Sequence, residues 1–200
     1  MNVQSERFRK RTEQILSCLN SFEYATRPMM QDALNLGGER NANRILGRLE
    51  SDKLIRSFRR EMKVYTLTKK GAAMIGIDDL RHAREPYVQH ILLRGQAWLD
   101  LGRPASWQVE RPIKFVNYRI IPDAMYTDNI QHHFVEIDRT QRMAVNRDKL
   151  KAYALLQRIH RQGSKEPPAV HYVTISETRA KKLRKMAEEE KARIIVTVTE

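Results

Sequence analysis

Apolar positions spaced three and four apart, at Phe8, Ile15, Leu16 and Leu19, predict a first helix that stops near Asn20–Ser21. Thr26-Arg27-Pro28 predicts the start of a second, short helix, because a proline is tolerated in a first turn where its missing N–H is not required. Met29, Met30, Ala33 and Leu34 form its apolar side. After the Gly37-Gly38 break, Ile45, Leu46 and Leu49 predict a third helix whose opposite face carries Arg40, Asn41, Asn43, Arg44 and Arg48. Beyond Leu54 the period changes to two. Ile55, Ser57-Phe58 and Val64–Leu67 flank the polar turn Arg60-Glu61-Met62-Lys63 as a hairpin, and Thr68 is placed to cap a short helix ending at Met74.

The pattern then restarts. Val88, Ile91, Leu92, Trp98 and Leu99 predict an amphipathic helix from Tyr87 to Leu101, closed by Gly102-Arg103-Pro104. Strands are predicted at Trp107–Glu110, Arg119–Tyr126 and His132–Asp138, followed by a long helix from about Ala144 to His160. Val170–Ile175 is a nearly continuous apolar strand, Ser176-Glu177-Thr178 opens a basic helix to about Glu190, and Ile194–Val198 is a last strand. Strands separated by helices predict a mixed sheet with helices packed on its faces. The expected architecture is α+β in two units, residues 1–78 and 79–200, joined by the short polar stretch Asp78–Glu85.

Composition narrows the function classes. No apolar run in these 200 residues approaches the roughly 20 needed to cross a bilayer, so no membrane span is expected. The start, MNVQSERFRKRTEQ, has no apolar core of a secretory leader, which points to the cytoplasm. A single cysteine, Cys18, forms neither an internal disulfide nor a cysteine-ligated zinc site, and between Ile15, Leu16 and Leu19 it reads as a small buried residue. Lys and Arg number 37 against 24 Asp and Glu, a net charge of +13, which makes a polyanion the leading partner class. Nucleic acid precedes anionic lipid, since no continuous basic amphipathic helix with a bulky apolar face occurs. His132 and His133 point to opposite faces of a strand, the other histidines lack metal-ligand spacing, and no glycine-rich phosphate loop follows Gly37-Gly38.

The string LESDKLIRSF…YTLTKKGAAMI resembles the tail of winged helix-turn-helix DNA-binding domains. The resemblance implies that the third helix lies in a major groove while the cations of the wing meet phosphates. Arg40, Asn41, Asn43, Arg44 and Arg48 are then candidates for groove contacts. Arg56, Arg59, Arg60 and Lys63 are the wing's cations, with Lys69 and Lys70 beside them. A solvated charged face, or a winged domain that binds protein, is the competing reading of the same residues.

In the second unit, strand alternation directs Glu136 and Asp138 to one face, and a neighbouring strand would add Asp123 from Pro122-Asp123. Three such carboxylates offer oxygen ligands to a hard cation such as Mg2+. Each has a plainer reading: a turn or cap at Asp123, a solvated strand end at Glu136, an ion pair of Asp138 with Arg139. The arrangement resembles the PD-(D/E)xK nuclease-like fold, but Glu136-Ile137-Asp138 has an acid where that fold carries its lysine. The lysine helps activate water as phosphate is attacked, which aspartate cannot do. Lys149 is a candidate displaced cation, or simply basic surface with Lys151, and Tyr153 reads as core.

The winged helix together with PDA…FVEIDR…KLKAY resembles the replication-relaxation family of plasmids and mobile elements. That resemblance implies a role in plasmid replication, mobilisation or transcriptional control, with double-stranded DNA as partner. By analogy with winged proteins, a homodimer is expected. Residues 81–200 hold 22 basic and 14 acidic residues, a net +8, so a second DNA-facing surface fits as well. Two alternatives stay open. One is a Mg2+-dependent endonuclease or nickase using Asp123, Glu136 and Asp138 as ligands with Lys149 near the scissile phosphate. The other is a module that recruits a replication or transfer protein through the basic helix Ser176–Lys191.

Overall fold

A computed structural model describes residues 3–80, 82–163 and 165–199. The chain divides into two compact units, the first running to Leu99 and the second beginning at Asp100.

The first unit contains α1 (Val3–Phe22), β1 (Ala25–Thr26), α2 (Arg27–Leu34), α3 (Glu39–Ser51), β2 (Ile55–Arg59), β3 (Lys63–Leu67), α4 (Lys69–Met74) and α5 (Val88–Asp100). Local chemistry sets the breaks. The Thr26 hydroxyl accepts from the Met29 N–H at the start of α2, and Asn35, in the left-handed region at φ 49°, ends it. Thr68 caps α4 by accepting from the Gly71 N–H at 3.1 Å. A side chain at Gly71 would place its Cβ 2.0 Å from the Leu54 carbonyl oxygen, so only glycine lets α4 lie against the turn between α3 and β2. The strands form an antiparallel sheet in the order β1-β3-β2, with Ile55 opposite Leu67 and Arg59 opposite Lys63. Ile15, Leu16, Leu19, Met30, Leu46, Leu49, Ile55 and Leu67 make the core between helices and sheet.

α5 belongs here and not to the second unit, which moves the boundary from the expected 78/79 to Leu99/Asp100. Val88, Ile91, Leu92 and Leu99 enter the same apolar core as α1. Trp98 meets Phe22 edge-on at 5.3 Å, and the buried Arg94 guanidinium donates to Glu23 at 2.7 Å. Periodicity shows that a helix has an apolar face; it does not show which partner receives it.

The second unit contains β4 (Gln108–Val109), β5 (Ile113–Phe115), β6 (Tyr118–Ile120), β7 (Ala124–Thr127), β8 (His132–Asp138), α6 (Met143–Gln162), β9 (Ala169–Thr174), α7 (Glu177–Glu190) and β10 (Ile195–Val198). Five strands form a mixed sheet in the order β10-β9-β8-β7-β4, parallel from β10 to β8 and antiparallel from β8 to β4. Phe134, Val170 and Tyr172 on one face pack against Leu150, Tyr153 and Leu156 of α6 and Leu183 and Met186 of α7. The protein is thus α+β with a mixed sheet flanked by helices. The strand expected over Arg119–Tyr126 is divided. Pro122, buried and without an N–H, separates β7 from β6, and β6 instead pairs with β5 as a separate two-stranded ribbon. No helix among the described residues is long and apolar enough to cross a membrane.

Candidate functional site

On α3, Ala42, Leu46 and Leu49 are buried, while Arg40, Asn41, Asn43, Arg44 and Arg48 are all exposed. Several of these are also held in place. Asn41 donates to the Leu36 carbonyl at 2.8 Å and accepts from Arg44 at 2.9 Å, and the Arg48 guanidinium lies 3.8 Å over the Phe8 ring. Arg56, Arg59, Arg60 and Lys63 on the β2–β3 hairpin are exposed, as are Lys69 and Lys70. Glu50 of α3 joins helix to hairpin: it accepts from Lys63 at 2.8 Å and from the Ser57 hydroxyl. Its hydrogen bond raises the Lys63 pKa, and the bonds from Lys63 and Ser57 hold Glu50 below the usual carboxylate range against the effect of burial. Lys70 donates to the Asp52 carbonyl at 2.9 Å. Internal bonds thus hold several of the exposed cations of α3, the hairpin and α4 in place.

The acids of the second unit lie in two adjacent groups. Asp123, just before β7, accepts from the Ile137 N–H on β8 at 2.6 Å. Glu136, on the other side of that peptide, points under α6, where Lys149 donates to Oε2 and the Tyr153 hydroxyl to Oε1 at 2.6 Å. Glu136 is 2% exposed, and burial pushes its carboxyl up to about 7, with Lys149 opposing and Asp123 adding to the shift. Burial works to lower the Lys149 ammonium, but Glu136 and Asp123 hold it above its ordinary value. Lys149 is therefore the partner of Glu136 and not open basic surface, and Tyr153, fully buried, carries a polar contact as well as packing.

Asp138, 1% exposed on the same strand face, has different neighbours. Arg179 of α7 forks onto it, with Nε and Nη2 at 2.8 and 2.7 Å, and Asn146 of α6 donates at 2.8 Å. The ion pair is thus with Arg179, forty-one positions away, and not with the adjacent Arg139. The structure brings Asp123, Glu136 and Lys149 together, and gives Asp138 a cation of its own.

This donor set does not fit a magnesium ion. Among the described residues no group of three His, Cys, Asp or Glu side chains is disposed to hold a metal. Glu136 and Asp138 each spend their oxygens on a cation or a hydroxyl or amide donor, and the buried groups beside them with no hydrogen-bond partner are the hydroxyls of Tyr172 and Thr174. A hard divalent ion selects carboxylate and carbonyl oxygens over neutral hydroxyls, and here two of the three carboxylates, Glu136 and Asp138, already face Lys149 and Arg179.

Two features escaped the sequence reading. Arg179 stands 41 positions from Asp138 and Asn146 eight, and only the packing of α7 and α6 identifies them. On the opposite sheet face, His133 and His171 meet with Nδ1 3.1 Å from Nε2, Asp128 lies 2.8 Å from His133 Nε2, and Tyr126 stacks on His133 at 4.2 Å. The tautomers that satisfy both contacts have His133 donating to Asp128 and accepting from His171. Burial, with His133 adding, lowers the His171 imidazole to about 4, and backbone N–H groups of Gln131 and Ile130 together with His133 lower Asp128 to about 2. The parallel register that sets Val135 beside His171 brings the two rings onto one face.

Comparison with known proteins gives three results. No curated protein matches the chain. The chain is similar to a crystallised protein, VC1899 from Vibrio cholerae, at 14% identity and a TM-score of 0.35, with 98% of this chain and 53% of that one covered. It thus spans about half the length of the protein it matches, and so distant a likeness carries no functional argument. The replication-relaxation family model matches residues 16–168, a span containing the third helix, the hairpin, Pro122-Asp123, Glu136-Ile137-Asp138 and the Lys149–Tyr153 helix, and on that match the chain belongs to the replication-relaxation family.

Proposed function

We propose that the protein binds duplex DNA in the replication or mobilisation of plasmids or other mobile elements, with α1 to α4 and the β2–β3 hairpin acting as a winged helix-turn-helix. The observation that carries this reading is the sidedness of α3: Ala42, Leu46 and Leu49 are buried, and Arg40, Asn41, Asn43, Arg44 and Arg48 are all exposed. A helix of this kind fits the major groove, where arginine and asparagine read base edges, while Arg56, Arg59, Arg60, Lys63, Lys69 and Lys70 of the wing and its flank meet the phosphates. By analogy with winged proteins we expect two copies on a palindromic site, and light scattering at micromolar concentration measures the dimer.

The second unit, on this reading, keeps a PD-(D/E)xK-like layout without standard metal catalysis, because Lys149 and Arg179 already neutralise Glu136 and Asp138. One observation favours the nuclease reading instead: Asp123 and Glu136 are close enough for one charge to raise the other's pKa. Incubating supercoiled plasmid with the protein and Mg2+ or Mn2+ separates the two. The binding reading predicts a retarded, intact plasmid, with affinity falling steeply in salt. Cleavage that disappears in both Asp123→Ala and Glu136→Ala would establish the nuclease and overturn the non-catalytic reading.

A further inference from the structure

We infer that the β5–β6 ribbon of the second unit is an additional DNA contact, a minor-groove hairpin with Val116 as an apolar tip between two phosphate-binding cations. The inference rests on the proposal that the chain binds duplex DNA, and extends it to a surface outside the winged unit.

Three features of the ribbon point the same way. Its inner side is ordinary: Ile120 is buried, and Ile113 and Phe115 pack against the core of the second unit. Its outer side places Lys114 directly opposite Arg119 in the antiparallel register, and both are exposed. Like charges in a directly opposed pair repel, and among the described residues neither has an ion-pair partner. From Arg111 to Ile121 the chain carries Arg111, Lys114 and Arg119 and no acidic residue. An anion between the two opposed cations removes the repulsion, and a polyanion's backbone supplies such anions in a row.

The tip is also unfavourable for the free protein. Phe115 pairs with Tyr118, so the loop is the two residues Val116-Asn117, and Val116 sits at φ 49° with 74% of its surface exposed. A branched side chain in the left-handed region is a steric outlier, and two-residue hairpins use glycine or asparagine there. Neither conformational preference nor burial accounts for a valine at this position. An apolar residue held at the tip of a cationic ribbon is the arrangement by which architectural proteins wedge a base step open from the minor groove. The Phe115 and Tyr118 rings, stacked at 5.8 Å behind the tip, brace it.

The test uses the full chain and a mixed-sequence DNA duplex labelled at both ends, so that anisotropy reads affinity and energy transfer reads bending. Lys114→Ala/Arg119→Ala is expected to weaken binding about tenfold at low salt and to reduce the slope of log affinity against log salt by about two. Val116→Gly is expected to raise the Tm, because strain is relieved, while reducing the DNA bend. With a purely structural role for the valine, the same change raises the Tm but leaves the bend unchanged. If the double variant keeps wild-type affinity and slope while Arg40→Ala/Arg44→Ala loses binding, the ribbon proposal is overturned and the winged reading stands. An unchanged bend with Val116→Gly overturns the wedge. Failure of the wild type to bind duplex at any salt overturns both proposals.

Discussion

Arg40 and Arg44 on α3 stand in solvent, whereas Lys149 on α6 and Arg179 on α7 are drawn onto carboxylates that are 2% and 1% exposed. The same residue types therefore do different work in the two units. An exposed cation contributes about 0–1 kcal/mol to folding and leaves its field available to a ligand. A cation over a buried acid is needed for stability, since removing it strands a charge in a low-dielectric interior. Net charge, which suggested a polyanion partner, counts both kinds equally. Burial tells them apart.

The contrast predicts that substitutions at Arg179 and Lys149 change stability and leave duplex affinity alone. The largest effect is expected from Arg179→Ala, which leaves Asp138 with Asn146 alone and costs about 3–5 kcal/mol in urea unfolding. A loss below about 1 kcal/mol would mean that the pair is dispensable and the contrast overstated.

Next in size is an acid transition. His171 has its folded pKa lowered from 6.5 to about 4, so the folded state prefers the neutral ring and the unfolded state takes up the proton first. Its contribution is complete above pH 6.5 and is lost as pH falls toward 4, up to about 3 kcal/mol. Glu136, raised from 4.5 to about 7, works in the opposite direction: its proton binds the folded state first, so stability rises as pH falls through 7 toward 4.5. The two oppose each other over the shared window, and the histidine term emerges as the difference between wild type and His171→Phe, whose acid loss should be smaller. NMR titration of His171 near its ordinary value would refute this.

Lys149→Met should cost about 2 kcal/mol at pH 8, less than the arginine change because Glu136 can escape its isolation by binding a proton. The deficit should shrink as the pH is lowered to 6, and a deficit independent of pH would argue that packing, not charge, is lost. In the first unit, Thr68→Ala removes the cap on Gly71 and is expected to cost about 1 kcal/mol by thermal unfolding.

The two units also differed in how much of them the sequence disclosed. α2, α3, α4 and the β2–β3 hairpin follow from local signals, Pro28, the Gly37-Gly38 break, Thr68 and a clean change of period. β1 is only two residues and exists because β3 offers it an edge, which no local pattern can announce. α5 was legible as a helix but not as part of the first core, since its apolar face is indifferent to which surface it joins. In the second unit the shared face of Glu136 and Asp138 on β8 was legible from alternation, and Asp123 stands just before the neighbouring β7, yet their partners were not legible. Tertiary packing brings Arg179 onto Asp138, and on the other sheet face strand register brings His171 to His133. The β5–β6 ribbon was missed for a local reason: its turn has valine where glycine would have signalled it.

The central claim is tested most directly by Arg40→Ala/Arg44→Ala/Arg59→Ala, three exposed cations of α3 and the hairpin, measured for both Tm and duplex affinity across a salt series. The account predicts stability within about 0.5 kcal/mol of wild type, affinity lower by on the order of a hundredfold, and a shallower salt dependence. A folded triple variant that holds DNA as tightly as wild type, with the same salt slope, would contradict it.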